Sequence, residues 1–149
     1  MIAPDVVSPS PAAQTPERVT LFTITGAPAI RVVDVEGKGR GVVAARDIVR
    51  GERIERVPVV VLSQQDGDTV DGTRLGSYVF NWSDGGVVIA LGAGSLYNHS
   101  YAPNAEYQKR FDEVVIDFVA LTDIAEGTEI TVNYNGHPAD QTPMWFDVK

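Results

Sequence analysis

The feature that most constrains this chain is its punctuation. Short β-branched runs follow one another, and each is closed within a few residues by glycine, proline or a polar turn. "IRVVDV", "GVVAA", "ERIERVPVVVLS", "GVVIALG", "AEYQKRF" and "EVVIDFVAL" each read as a strand, as does "VTLFTI" before them. The Asp112 turn joins the last two, and "IAEGTEITVNYNG" reads as a turn leading into one more brief strand. Pro58 predicts an edge strand or a bulge, because proline cannot donate to a central ladder. "DGDTVDG" reads as a loop, and only "TRLGSYVFNW" has helical spacing, with Leu75, Tyr78 and Val79 on one side. The expected fold class is mostly β, built from short strands with little helix.

With 149 residues the chain is one domain's worth of sequence, able to bury about two thirds of its unfolded surface. "MIAPDVVSPSPAAQTPERV" has neither the basic nor the apolar segment of a signal peptide. Residues 1–18 read as a solvated tail, 19–138 as the folded domain and 139–149 as a C-terminal tail. No apolar run is long enough for a membrane span. These features suggest a cytoplasmic protein, or one sent to a nucleus or exported to a host. The absence of cysteine excludes disulfides, thiolate zinc clusters and a cysteine nucleophile. A formal charge of -8 argues against direct nucleic-acid binding and favours a basic partner.

The chemistry-bearing stretch is "YNHSYAPNAEY", Tyr97 to Tyr107, which holds one of two histidines. His99 has no HxH, HxxxH or HxxE companion, so no metal is expected. A hydrolytic triad is weakly supported, since there is no GxSxG and Ser100 adjoins the histidine. A hydrogen-bonded turn is the default for these residue types, as Asn98, Ser100 and Asn104 readily bond nearby backbone. "GKGRG" opens a strand instead of a helix, so it is not a dinucleotide fingerprint. Gly37, Gly39 and Gly41 still permit positive φ and close approach of backbone to a ligand. Tyr78, Tyr107 and Tyr134 lie in or beside apolar segments and could line a narrow channel for an alkylammonium.

Three motifs, in order, resemble those of the SET-domain protein lysine methyltransferases. "GKGRGVVAARDIVRGERI" is similar to their opening motif, and "LYNHSYAPNAEY" to their Asn-His-Ser-x-x-Pro-Asn motif. "AEGTEITVNYNG" resembles their closing Gly-x-Glu-[Leu/Ile]-Thr-x-x-Tyr motif, and coverage runs from about Ile30 to Gly136. "GSYVFNW" and "IALGAGSLYNHS" bring the chain nearest to the minimal single-domain members of viruses and bacteria. It departs from the larger nuclear members, whose flanking zinc–cysteine modules need cysteines that it lacks.

The resemblance implies a knot-like arrangement of short strands, and methyl transfer from S-adenosylmethionine to the side-chain amine of a lysine. The substrate would be a basic protein: a histone, a histone-like protein or a ribosomal protein. It implies cofactor contacts at Lys38, Gly39, Arg40, Tyr78, Asn98, His99, Tyr134 and Trp145. The lysine channel would be formed by Tyr134, Tyr107 and Tyr78, with Tyr134 central. His99 becomes a structural, cofactor-contacting residue. Trp145 and Phe146 would close the cofactor site or merely anchor the tail, and a homodimer is expected. A SET-like module that binds cofactor or partner without catalysis stays open beside these readings.

Overall fold

The computed structural model describes residues 28–148, so the expected tail and the strand at "VTLFTI" lie outside the described residues. Among the described residues nine strands form two sheets: β1 (Ile30–Val35), β2 (Gly39–Ala44), β3 (Arg53–Leu62), β4 (Val79–Asn81), β5 (Val87–Ala90), β6 (Asn98–His99), β7 (Ala105–Arg110), β8 (Val115–Ala120) and β9 (Glu129–Val132). An α-helix, α1 (Gln64–Asp71), follows β3. The first sheet runs β1-β2-β9-β6 and the second β4-β5-β3-β8-β7. A mostly β fold of short strands is what the punctuation requires.

Alternation explains the core. In β8, Ile116, Phe118 and Ala120 point inward and are almost fully buried. Asp117 faces the opposite side, where Arg56 grips both its oxygens at 2.7 and 2.8 Å and Arg110 approaches to 3.1 Å. Those guanidinium groups hold its carboxyl below the usual range against the cost of burial. Val42 and Ala44 of β2 meet Ile130 and Val132 of β9 in the same core.

Three local expectations are corrected. β3 is not an edge strand: it lies between β5 and β8. Pro58 is tolerated because it ends the pairing with β8, and from Val59 onward the strand pairs with β5. The bulge in β3 falls between Arg53 and Glu55 instead. The loop expected at Asp66–Gly72 is largely α1. Ser63 caps it, its hydroxyl accepting the Asp66 N–H at 3.2 Å, and Gly67 lies buried against Val87. Low intrinsic helix propensity hid this helix, and the Ser-x-x-Asp cap was the available signal. Helical character in "TRLGSYVFNW" stops at a 3-10 turn, Arg74–Tyr78, before the chain extends into β4.

β9 lies between β2, with which it pairs antiparallel, and β6, with which it pairs parallel. Asn98 and His99 are therefore a two-residue strand, although residue types alone favoured a turn. This late insertion carries the closing motif into contact with the Asn-His segment. The chain beyond β9 stays tied to the loop after β6: Met144 N–H donates to the Tyr101 hydroxyl at 2.9 Å, and Gln141 to the Tyr101 carbonyl at 3.1 Å.

Candidate functional site

The glycine-rich hairpin sets one wall. Gly37 and Gly39 have φ of 75° and 83°, conformations that favour glycine. Gly41 is required for a different reason. A Cβ there would lie 2.6 Å from the Asn98 side-chain nitrogen. That vacancy lets Asn98 bridge two strands, donating to the Arg40 carbonyl at 3.2 Å and to Glu129 at 2.8 Å. The other Glu129 oxygen pairs with Lys38 at 2.9 Å. Asn98 is thus held by its amide hydrogens, and its Oδ1 has no partner among the described residues.

His99 is 4% exposed. Its Nδ1 accepts the Tyr134 backbone N–H at 3.1 Å, which places the proton of the neutral ring on Nε2. That buried Nε2 has no hydrogen-bond partner among the described residues. Burial first, and the Lys38 charge second, push its pKa below the ordinary histidine value. An imidazole with its acceptor nitrogen already occupied cannot act as a hydrolytic base. The Ser100 hydroxyl accepts the Ala102 N–H at 3.1 Å, as a turn residue does.

These groups face a cavity of about 830 Å3. Every cofactor contact expected from sequence lines it: Lys38, Gly39 and Arg40 from the hairpin, Asn98 and His99 from β6, and Tyr78, Tyr134 and Trp145. Arg40 reaches the Tyr78 hydroxyl at 3.3 Å and lies 5.9 Å from the ring centre. Of the two C-terminal aromatics, Phe146 packs on the site, 6.1 Å from His99 and 6.2 Å from Tyr134 between ring centres. Trp145 also lines the cavity but is 75% exposed, in edge contact with Phe146.

A second cavity, about 700 Å3, adjoins the first. Tyr78, Tyr134, Ser77, Ser95 and Trp145 line both. Tyr107 belongs to the second alone, so the structure brings the three expected channel tyrosines to one cavity. A chain of hydroxyl–carbonyl bonds orders its wall. Tyr107 donates to the Tyr134 carbonyl at 3.3 Å, and Tyr134 donates to the Tyr97 carbonyl at 2.7 Å. Tyr97 in turn donates to Glu55 at 2.9 Å. Burial, with the Glu129 charge and Tyr78 adding to it, pushes the Tyr134 phenol up to about 12. It therefore remains a neutral donor at physiological pH and does not act as a base.

Glu55, Tyr97 and Glu129 are supporting residues that the sequence reading gave no role. Burial raises the Glu55 carboxyl, opposed by hydrogen bonds from the Ala93 N–H and the Tyr97 hydroxyl. Within "ERIERV" it looked like any solvated strand charge, and nothing local marked it. Tyr97 stacks on Phe118 at 4.3 Å and is 2% exposed. Glu129 did have a signal, since it is the glutamate of the closing motif.

Comparison with known proteins gives a consistent grouping. A family model described as "SET domain" matches residues 39–135. A Schizosaccharomyces pombe protein, "Histone-lysine N-methyltransferase, H3 lysine-37 specific", is 32% identical over 119 residues, covering 79% of this chain and 77% of that one. A crystal structure of a Plasmodium falciparum protein superposes with TM-score 0.58 at 26% identity. The alignment covers 72% of this chain and 94% of that chain. A humanized mutant of the Chaetomium thermophilum Polycomb Repressive Complex 2 has a chain matching at TM-score 0.60 and 24% identity. That match covers 73% of this chain and 15% of the other, and at this identity it speaks for the fold alone.

Proposed function

The chain belongs to the SET-domain family of protein-lysine methyltransferases, and we propose that its two adjoining cavities divide the reaction between cofactor and lysine. The larger cavity would take S-adenosylmethionine and the smaller one the lysine side chain, with Tyr134 at their common boundary. The observation that carries this reading is the sharing of Tyr78, Ser95 and Tyr134 by two cavities of different chemistry.

The residues present fit the cofactor. It combines an ammonium, a carboxylate, a sulfonium and an aromatic base. Asn98 Oδ1 can accept from the ammonium, and Lys38 and Arg40 supply positive charge for the carboxylate. His99 Nε2–H is a buried donor awaiting an acceptor. Phe146 and Trp145 offer apolar faces for the base. When bound, the cofactor supplies a methyl group on a sulfonium, activated for transfer to an amine.

The protein's own work is alignment and desolvation. A free lysine, with a pKa of about 10.4, is almost wholly protonated at neutral pH. Between Tyr107, Phe80 and Tyr134, loss of solvation favours its neutral form. Phe80 meets Tyr107 edge-on at 5.0 Å, so the aromatic wall is packed before any substrate arrives. The Tyr134 hydroxyl, fixed by the Tyr97 carbonyl, would orient the amine nitrogen, and Tyr107 and Tyr78 would confine its stem.

The Schizosaccharomyces pombe histone-lysine methyltransferase relative and the net charge of -8 together support a lysine in a basic segment, such as a histone tail. The decisive assay is label transfer from S-adenosylmethionine to histones or other basic proteins, with site mapping by mass spectrometry. Label on a lysine amine is expected. Saturable cofactor binding without any transfer would instead support the non-catalytic module. The proposed assembly is a two-fold homodimer, consistent with the exposed Val60 and Val61 on β3. A dimer mass is expected from light scattering at tens of micromolar protein.

A further inference from the structure

Lys109 is placed unlike the other cations among the described residues. It lies on β7 two residues after Tyr107, so both side chains leave the same face of the strand. Its Nζ lies 5.8 Å from the Tyr107 ring centre, and both residues line the smaller cavity. Its strand partner across the ladder is Ile116, which is fully buried. Lys109 is half-buried, as are Lys38 and Arg56. Those two are each paired with carboxylates, at 2.9 and 2.7 Å. Lys109 alone of the three has no carboxylate partner among the described residues.

In a chain with 20 Asp and Glu against 12 Lys and Arg, that isolation is informative. Asp71 lines the same cavity, yet the two do not form an ion pair. Burial lowers the Lys109 pKa, the mark of a poorly solvated cation. The Tyr107 face compensates only in part. A carboxylate arriving at the cavity would restore the missing partner.

We propose that Lys109 is a specificity-determining residue, which selects substrates carrying an acidic side chain close in sequence to the target lysine. The inference rests on the smaller cavity being the lysine side of the reaction. It narrows the substrate class from any basic segment to one in which a carboxylate flanks the accepting lysine. The contact would be charge-assisted and partly desolvated, the setting in which a single pair most affects partner choice.

The test is an oriented peptide library with a fixed central lysine, methylated with labelled S-adenosylmethionine. Wild-type protein should favour Asp or Glu at one flanking position by about tenfold over Lys or Arg. Lys109→Glu should invert the preference at that same position. Lys109→Met keeps most of the stem and removes the charge, and it should flatten the preference without inverting it. Total label reports transfer, while the residue ratio at each position reports selection, so the two readings fail separately. Label entering the library with the same flanking profile in all three proteins would overturn the role of Lys109 and leave the transferase reading intact. Methyl label on Lys109 itself would make it an acceptor instead of a selector, which would also overturn it.

Discussion

The two cavities are built by opposite means. The larger depends on backbone and amides: a hairpin opened by Gly37 and Gly39, and Asn98 clamped between Arg40 and Glu129. The smaller depends on side chains, with Phe80, Tyr97, Tyr107 and Tyr134 gathered from four separate segments. A wall made of backbone tolerates few changes at its glycines. A wall made of phenols can change its selectivity one hydroxyl at a time. If the cavities divide the reaction as proposed, substitutions should separate into those that affect binding and those that affect transfer.

The largest effect should come where the cavities meet. Tyr134→Phe removes the hydroxyl that donates to the Tyr97 carbonyl, and almost no volume. Turnover should fall about a hundredfold or more, with cofactor affinity nearly unchanged. Full activity in a steady-state assay would remove Tyr134 from the mechanism. A parallel loss of affinity would erase the distinction between the two walls.

Next comes the backbone-built side. Asn98→Ala should weaken cofactor binding more than tenfold by calorimetry, since a charged amine would lose a half-buried partner. It also leaves Glu129 and the Arg40 carbonyl without the amide that joins them. A thermal melt should separate any general destabilisation from the local loss. Unchanged affinity would remove Asn98 from the site.

Tyr107→Phe should have the smallest effect on rate and the most specific effect on product. Its hydroxyl makes one long bond, 3.3 Å to the Tyr134 carbonyl. Losing it should leave activity measurable, widen the channel by one oxygen and shift the product toward higher methylation states. An unchanged product distribution by mass spectrometry would make Tyr107 a wall residue without influence on the number of methyl groups.

The same contrast explains what could be read from sequence. The backbone-built cavity was legible because its demands are local: glycines where φ is positive, and an Asn-His pair whose residue types stand out. Tyr134 and Tyr107 were identifiable by motif and by their apolar surroundings, but their linkage through carbonyls was not. Glu55 and Lys109 read as ordinary strand charges. Glu55 meets Ala93 and Tyr97 through contacts distant in sequence, and Lys109 lies opposite Ile116 across the β7–β8 hairpin. Helix α1 was missed for a related reason, as one cap and the packing of Gly67 on Val87 outweigh a sequence poor in helix formers. The insertion of β9 between β2 and β6 could not follow from strand signals, because pairing order is not written in any one strand.

The division of labour can be tested most directly by titrating the protein with the demethylated cofactor and following the backbone amides by NMR. Saturable shifts should concentrate at Lys38, Gly39, Arg40, Asn98 and His99, with Tyr134 at the boundary. Tyr107 and Lys109 should move little until a lysine peptide is added. Shifts centred on Phe80, Tyr107 and Lys109 with cofactor alone, or no saturable shift at the hairpin, would contradict the assignment of the two cavities.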